Sequence, residues 1–120
     1  MNENLFPQDI ELMHTPYIKL GRDFLLGGEN EIVIQVGRIP HPMEGNHYIE
    51  WIEVWQDNQL LRREEFDPTR DKEAKIYLVL PKDLDKNKKL LIKAYCNLHG
   101  LYQTELDLNH LENLEVEKEY

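Results

Sequence analysis

The chain has one cysteine, in the stretch Tyr95-Cys96-Asn97-Leu98-His99-Gly100-Leu101. A lone cysteine has no internal disulfide partner. A thiol and an imidazole three residues apart, beside a glycine that relaxes the backbone, can take hold of one metal ion together. Thiolate is a soft donor and imidazole a borderline one, a pairing that suits iron, copper or zinc. Taken alone the pair is a weak signal, because a cysteine at a strand end also serves as a small core residue.

The other histidines stand in unusual places. His41 lies between Pro40 and Pro42, which hold its backbone extended. His47 closes the loop Pro42-Met43-Glu44-Gly45-Asn46, and His14 lies in Met13-His14-Thr15-Pro16. Prolines on both sides of a histidine do little for core packing. They aim an imidazole at a fixed point with little entropy left to lose. His110, in an acidic terminal stretch, reads as a solvated surface residue.

The elements that must position these groups are mostly strands. Ile32, Ile34 and Val36 interleave with Val33 and Gln35; Ile76, Leu78 and Leu80 interleave with Tyr77 and Val79. Leu90, Ile92, Ala94 and Cys96 share one parity, and Tyr102, Thr104, Leu106 and Leu108 share another. Such period-2 patterns put alternate residues on one sheet face. Tyr48 to Trp55 is apolar on both parities apart from Glu50 and Glu53, which predicts a central strand covered on both sides with Trp51 in the core. Turn-prone stretches separate the runs at Gly27 to Asn30, Pro40 to Asn46, Asp57-Asn58, Asp67 to Thr69 and Asp83 to Lys88. About seven short strands with such turns predict an all-β fold, an antiparallel β-sandwich. The chain divides into one domain, residues 1–108, and an acidic tail, residues 109–120, expected to be a frayed helix or disordered.

With 120 residues and 41% apolar residues, the chain is long and apolar enough for one real core. The formal charge of -9 argues against nucleic acid and against anionic membranes as partners. Any anionic substrate then needs a local positive field. No apolar run approaches the roughly 20 residues of a membrane helix. The N-terminus lacks the features of a secretory signal, so a cytoplasmic location is expected, in keeping with the single cysteine.

Gly37-Arg38-Ile39-Pro40-His41-Pro42-Met43-Glu44-Gly45-Asn46-His47-Tyr48-Ile49-Glu50-Trp51-Ile52 and Cys96-Asn97-Leu98-His99-Gly100-Leu101, with His14-Thr15-Pro16 ahead of them, resemble the superoxide reductase family of neelaredoxins and desulfoferrodoxins. The resemblance runs from about His14 to Leu108. It implies an immunoglobulin-like sandwich and a mononuclear non-haem iron, with His14, His41, His47 and His99 as equatorial ligands and Cys96 as the axial one. These five would also be the catalytic residues. The implied reaction is one-electron reduction of superoxide to hydrogen peroxide, fed by a small donor such as rubredoxin. A homo-oligomer, dimer or tetramer, is also implied. Lacking a four-cysteine N-terminal segment, the chain resembles the one-iron, neelaredoxin-like class. Backbone amides around Asn97 to His99 are expected to hydrogen-bond the sulfur.

The chain departs from the family pattern at one place. Many members read Glu-Lys-His-x-Pro at the leading motif, where this chain has Leu12-Met13-His14-Thr15-Pro16. A glutamate that can cap the sixth iron position and a lysine that attracts superoxide are thus replaced by apolar residues. In an extended segment Glu11 would point elsewhere. Glu44 is a candidate to approach the sixth position, and Lys19, Arg38 and Lys72 are candidate replacement cations. Two other readings stay open: an iron-binding or electron-transfer module with the same site and little activity, and a metal-free β-sandwich interaction domain.

Overall fold

A computed structural model describes residues 7–21 and 31–117. A short helix, α1 (Pro7–His14), leads into β1 (Pro16–Leu20), followed by β2 (Glu31–Val36), β3 (Ile49–Gln56), β4 (Gln59–Glu65), β5 (Lys75–Val79), β6 (Leu90–Cys96) and β7 (Gly100–Leu106). A 3₁₀ turn, Leu108–Asn113, ends the set. The strands form two antiparallel sheets, ordered β1-β2-β5 and β4-β3-β6-β7. The seven-strand sandwich predicted from the alternation is the one found.

The inward faces supply the core. Ile32 and Ile34 of β2 meet Ile52 and Val54 of β3 and Leu90 and Ile92 of β6, all fully buried. β-Branched residues dominate because their stiff side chains pack well on a pleated surface. Asp57-Asn58 makes the two-residue turn between β3 and β4, with Asp57 at a positive φ of 52°, a conformation that Asp tolerates better than most residues. The turn-prone stretch Gly27 to Asn30 lies outside the described residues.

Three expectations need correction. β3 is central in its sheet, between β4 and β6, but only one of its faces is buried. Ile52 and Val54 point inward; Trp51 and Trp55 lie on the outer face, where Trp51 stacks on Tyr95 at 5.6 Å and Lys93 sits over Trp55. Two large aromatics on the parity opposite the aliphatics mimicked a doubly covered strand. The leader before His14 is helical, not extended. Pro7 suits a first helical position, and the Thr15 N–H closes the last turn on the Glu11 carbonyl at 2.8 Å.

The third correction concerns the tail, which is folded throughout its described part, residues 109–117. Asp107 caps its 3₁₀ turn by accepting from the Asn109 N–H at 2.9 Å, and Leu108 and Leu111 enter the core. Val116 then pairs in parallel with Leu20, and Glu117, 3% exposed, sits between Lys19 of β1 and Lys75 of β5. A charged tail with a leucine every few residues finds partners that only the sheet brings together.

Burial pushes the Glu117 carboxyl up, but hydrogen bonds and charge from Lys75 and Lys19 outweigh it and hold the group below the ordinary 4.5. A depressed folded value gives stability that is present above the unfolded value and lost as pH falls through the folded one. We therefore expect Glu117→Gln to lower stability by about 1–3 kcal/mol at neutral pH. The gap to wild type should shrink below pH 4.5, as read from urea midpoints across pH. A gap that stays constant down to pH 3 contradicts the assignment.

Candidate metal centre

One end of the sandwich gathers the groups singled out by the sequence. His14 is the last residue of α1, and His41 and His47 lie in the loop between β2 and β3. Cys96 is the last residue of β6, and His99 sits in the turn to β7. His14 and His41 thus flank the three-stranded sheet, and His47, Cys96 and His99 flank the four-stranded one.

The loops hold these residues through backbone groups. The His41 N–H donates to the Val36 carbonyl at 3.0 Å, and Glu44 and His47 exchange backbone hydrogen bonds at 2.9 and 3.1 Å. Asn97 ties the two ligand loops together. Its side-chain carbonyl accepts from the Tyr48 N–H at 2.9 Å, its own N–H donates to the Tyr48 carbonyl at 3.1 Å, and its amide reaches the Asn46 carbonyl at 3.2 Å. Gly100, at a φ of +85°, supplies the left-handed residue that closes the turn after His99.

The tautomers follow from the hydrogen bonds. The His14 Nδ1–H donates to the Ile10 carbonyl at 2.7 Å, and the His41 Nδ1–H to the Pro42 carbonyl at 2.6 Å. Each Nε2 therefore carries a lone pair, and these two nitrogens face each other at 3.0 Å. His14 Nε2 also lies 3.1 Å from His99 Nδ1, and the Cys96 sulfur is 3.5 Å from His41 Nε2 and 3.7 Å from His99 Nδ1. His47 Nε2 is buried with no hydrogen-bond partner. Ligand atoms of His14, His41, His47 and Cys96 all lie within 4.8 Å of one another.

Two unprotonated nitrogens at 3.0 Å repel each other unless something positive lies between them. Imidazole nitrogens bind a first-row divalent ion at about 2.1 Å, so two at right angles would stand about 3.0 Å apart. The rings form a closed square. Neighbouring centroids lie 4.5 Å (His14 and His41), 4.6 Å (His41 and His47), 5.0 Å (His47 and His99) and 4.8 Å (His99 and His14) apart, every pair near perpendicular. His14 and His47 stand across the diagonal at 6.1 Å. Burial lowers His41 to about 4 and also lowers His14 and His47. All three are then neutral at neutral pH, the form that binds metal. The donor set fits an ion that accepts both imidazole and thiolate.

Not every expectation about the surroundings holds. No backbone amide among the described residues donates to the Cys96 sulfur, and the Asn97 N–H is spent on Tyr48. Glu44 is exposed. Lys19 is held by Glu117, and Arg38 lies 5.6 Å over the Tyr17 ring. Leu12 is exposed. His110 is solvated, 3.9 Å from Asp107, and outside the cluster. Sequence reasoning missed Tyr102 of β7, whose ring stacks on His14 at 4.7 Å. Its only sequence signal is its place three residues beyond His99.

The family model described as Desulfoferrodoxin matches residues 7–105. The chain belongs to the desulfoferrodoxin family. Members of this family bind a mononuclear iron, and the His and Cys cluster can hold a metal. The chain is 33% identical to a superoxide reductase of Pyrococcus horikoshii over 106 residues, 79% of this chain and 86% of that one. It is 36% identical over 75 residues to a desulfoferrodoxin homolog of Archaeoglobus fulgidus, 62% of this chain and only 54% of the relative. Among solved structures, the one-iron superoxide reductase of Giardia intestinalis superposes with a TM-score of 0.63 at 29% identity, covering 79% of this chain and 97% of that one.

Proposed function

We propose that this member of the family reduces superoxide to hydrogen peroxide at a mononuclear iron held by His14, His41, His47, His99 and Cys96. The observation that carries the reading is the convergence of imidazole lone pairs and one sulfur at metal-ligand spacing, with no proton donor between His14 Nε2 and His41 Nε2. When bound, the ferrous ion supplies the electron. The protein's part is electrostatic and geometric. Neutral imidazoles and one thiolate leave a ferrous site with net positive charge, a local field that draws an anion to a chain of formal charge -9. The Cys96 thiolate would raise electron density on a bound metal. His99 is exposed and His47 only half-buried, so water reaches this side of the site and can deliver both protons. A small redox protein such as rubredoxin fits as electron donor. A cytoplasmic setting would keep the lone thiol reduced; among the described residues no helix is long and apolar enough to cross a membrane.

A second reading is favoured by one observation. Where the family places an acid and a lysine, this chain has exposed Leu12 and half-buried Met13 at the end of α1, as suits an iron-binding or electron-transfer module with little turnover. Iron loading, the ferric-thiolate absorption band and peroxide yield per superoxide separate the two. A superoxide reductase gives one peroxide per superoxide with bleaching and recovery of the band. A module binds iron and leaves superoxide decay unaccelerated. A chain that binds no iron is neither.

Met13→Lys should speed superoxide capture several-fold at low ionic strength. The gain should fade near 0.1 M salt, where screening acts over about 10 Å. Pulse-radiolysis rates insensitive to the substitution at low salt contradict this.

A further inference from the structure

Among the five groups of the proposed metal site, His14 is delivered differently. The other four sit at strand ends or in loops between strands, whereas His14 ends an eight-residue helix outside both sheets. A helix this short is not stable on its own. The hydrogen bond from the His14 Nδ1–H to the Ile10 carbonyl spans four residues within α1, so it orients the ring relative to the helix and cannot locate the helix on the sandwich. The Ile39 N–H, donating to the Leu12 carbonyl at 3.2 Å, ties the helix backbone to the loop after β2; the His14 ring needs a tie of its own to the four-stranded sheet.

We infer that Tyr102 is the positioning residue for His14, acting through the face of its ring rather than through its hydroxyl; this rests on the metal-site reading above. The two rings stack at 4.7 Å with an interplanar angle of 27°, within the range of favourable aromatic pairs. Tyr102 is a rigid platform, because its backbone pairs with Ala94 of β6 two rungs from the Cys96 and Gly100 pair. It therefore shares one ladder with the Cys96 and His99 end of the site and transmits that position to His14. The stack covers one face of the imidazole and leaves Nε2 directed at His41 and His99. Among the described residues the Tyr102 hydroxyl makes no hydrogen bond.

The test is cobalt(II) binding to the metal-free chain, compared for wild type, Tyr102→Phe, Tyr102→Leu and His14→Ala. Tyr102→Phe should match wild type in affinity and in d–d spectrum. Tyr102→Leu should bind about tenfold more weakly, with a spectrum displaced towards that of His14→Ala, while thermal unfolding of the metal-free forms of Tyr102→Leu and Tyr102→Phe stays alike. Tyr102→Leu with wild-type affinity and spectrum overturns the inference. So does a Tyr102→Phe defect as large as that of Tyr102→Leu, which would give the role to the hydroxyl. A measurement on wild type alone stands beside these: in the zinc-loaded protein the His14 ring protons should be moved upfield by the Tyr102 ring current, and ordinary shifts overturn the stack. If wild type takes up neither cobalt nor zinc, the metal-site reading itself falls, and the inference with it.

Discussion

Cys96→Ser should leave a folded protein without the ferric-thiolate absorption band and with superoxide reduction slowed about a hundredfold, roughly 3 kcal/mol of transition-state stabilisation. The residue is fully buried at the end of β6, with its sulfur near His41 and His99. Serine fits the same space, so the sandwich survives. A hydroxyl stays protonated where a thiol would ionise on binding metal, and it lacks the soft electron donation that the proposed chemistry needs. Pulse radiolysis on iron-loaded samples, with iron content measured on the same material, reads both effects. An unchanged rate at equal iron content would remove Cys96 from the reaction.

Gly37→Ala is expected to damage the site from outside it. A Cβ at this position would lie 2.3 Å from the Leu12 carbonyl oxygen and 2.7 Å from the Met13 carbonyl carbon. Both are backbone atoms and cannot swing aside as a side chain could. Either α1 or the loop carrying His41 must move, and the Ile39 N–H to Leu12 carbonyl bond at 3.2 Å must stretch with it. Overpacking of this kind costs about 1–3 kcal/mol. Because His14 directly follows Met13, metal affinity should fall more than tenfold, a loss of about 1.4 kcal/mol or more. Gly45→Ala is the matched control, since nothing lies within 4 Å of its added Cβ. Urea midpoints and cobalt titrations should show Gly45→Ala within about 0.5 kcal/mol of wild type. If Gly37→Ala behaves the same way, the close approach has no energetic weight.

Local alternation carried most of the fold. Leu90, Ile92, Ala94 and Cys96 are all buried on one face of β6, as their parity predicts, and β5 turns Ile76 and Leu78 inward while Tyr77 and Val79 stay exposed. The same logic misplaced Trp51, because alternation reports which residues share a face and not which face meets the other sheet. Glu117 was illegible for a different reason. A tail acid looks solvated until β1 and β5 bring Lys19 and Lys75 within reach.

Spacing alone exposed only the Cys96 and His99 corner of the site. His14 and His41 are 27 residues apart, His41 and Cys96 are 55, and His14 and His99 are 85. Contacts of that range leave no periodic trace, so the other groups came from the odd settings of their histidines and from family resemblance. Asn97, the clasp between the two loops, carried the wrong role, since its N–H faces Tyr48 and not the sulfur.

The division of the cluster between the two sheets has a mechanical consequence. An ion bound there is a rivet, clamping one layer of the sandwich to the other at a single end. Held by the proposed ligands, it would close the chain between His14 and His99, 85 positions apart. A covalent cross-link over such a span would restrict the unfolded chain by about 4.5 kcal/mol at most. Where thiols are kept reduced and disulfides do not persist, a metal that performs the chemistry can also provide the inter-sheet fastening. Metal starvation would then leave a protein that is inactive and also looser at the very end where its next ion must enter.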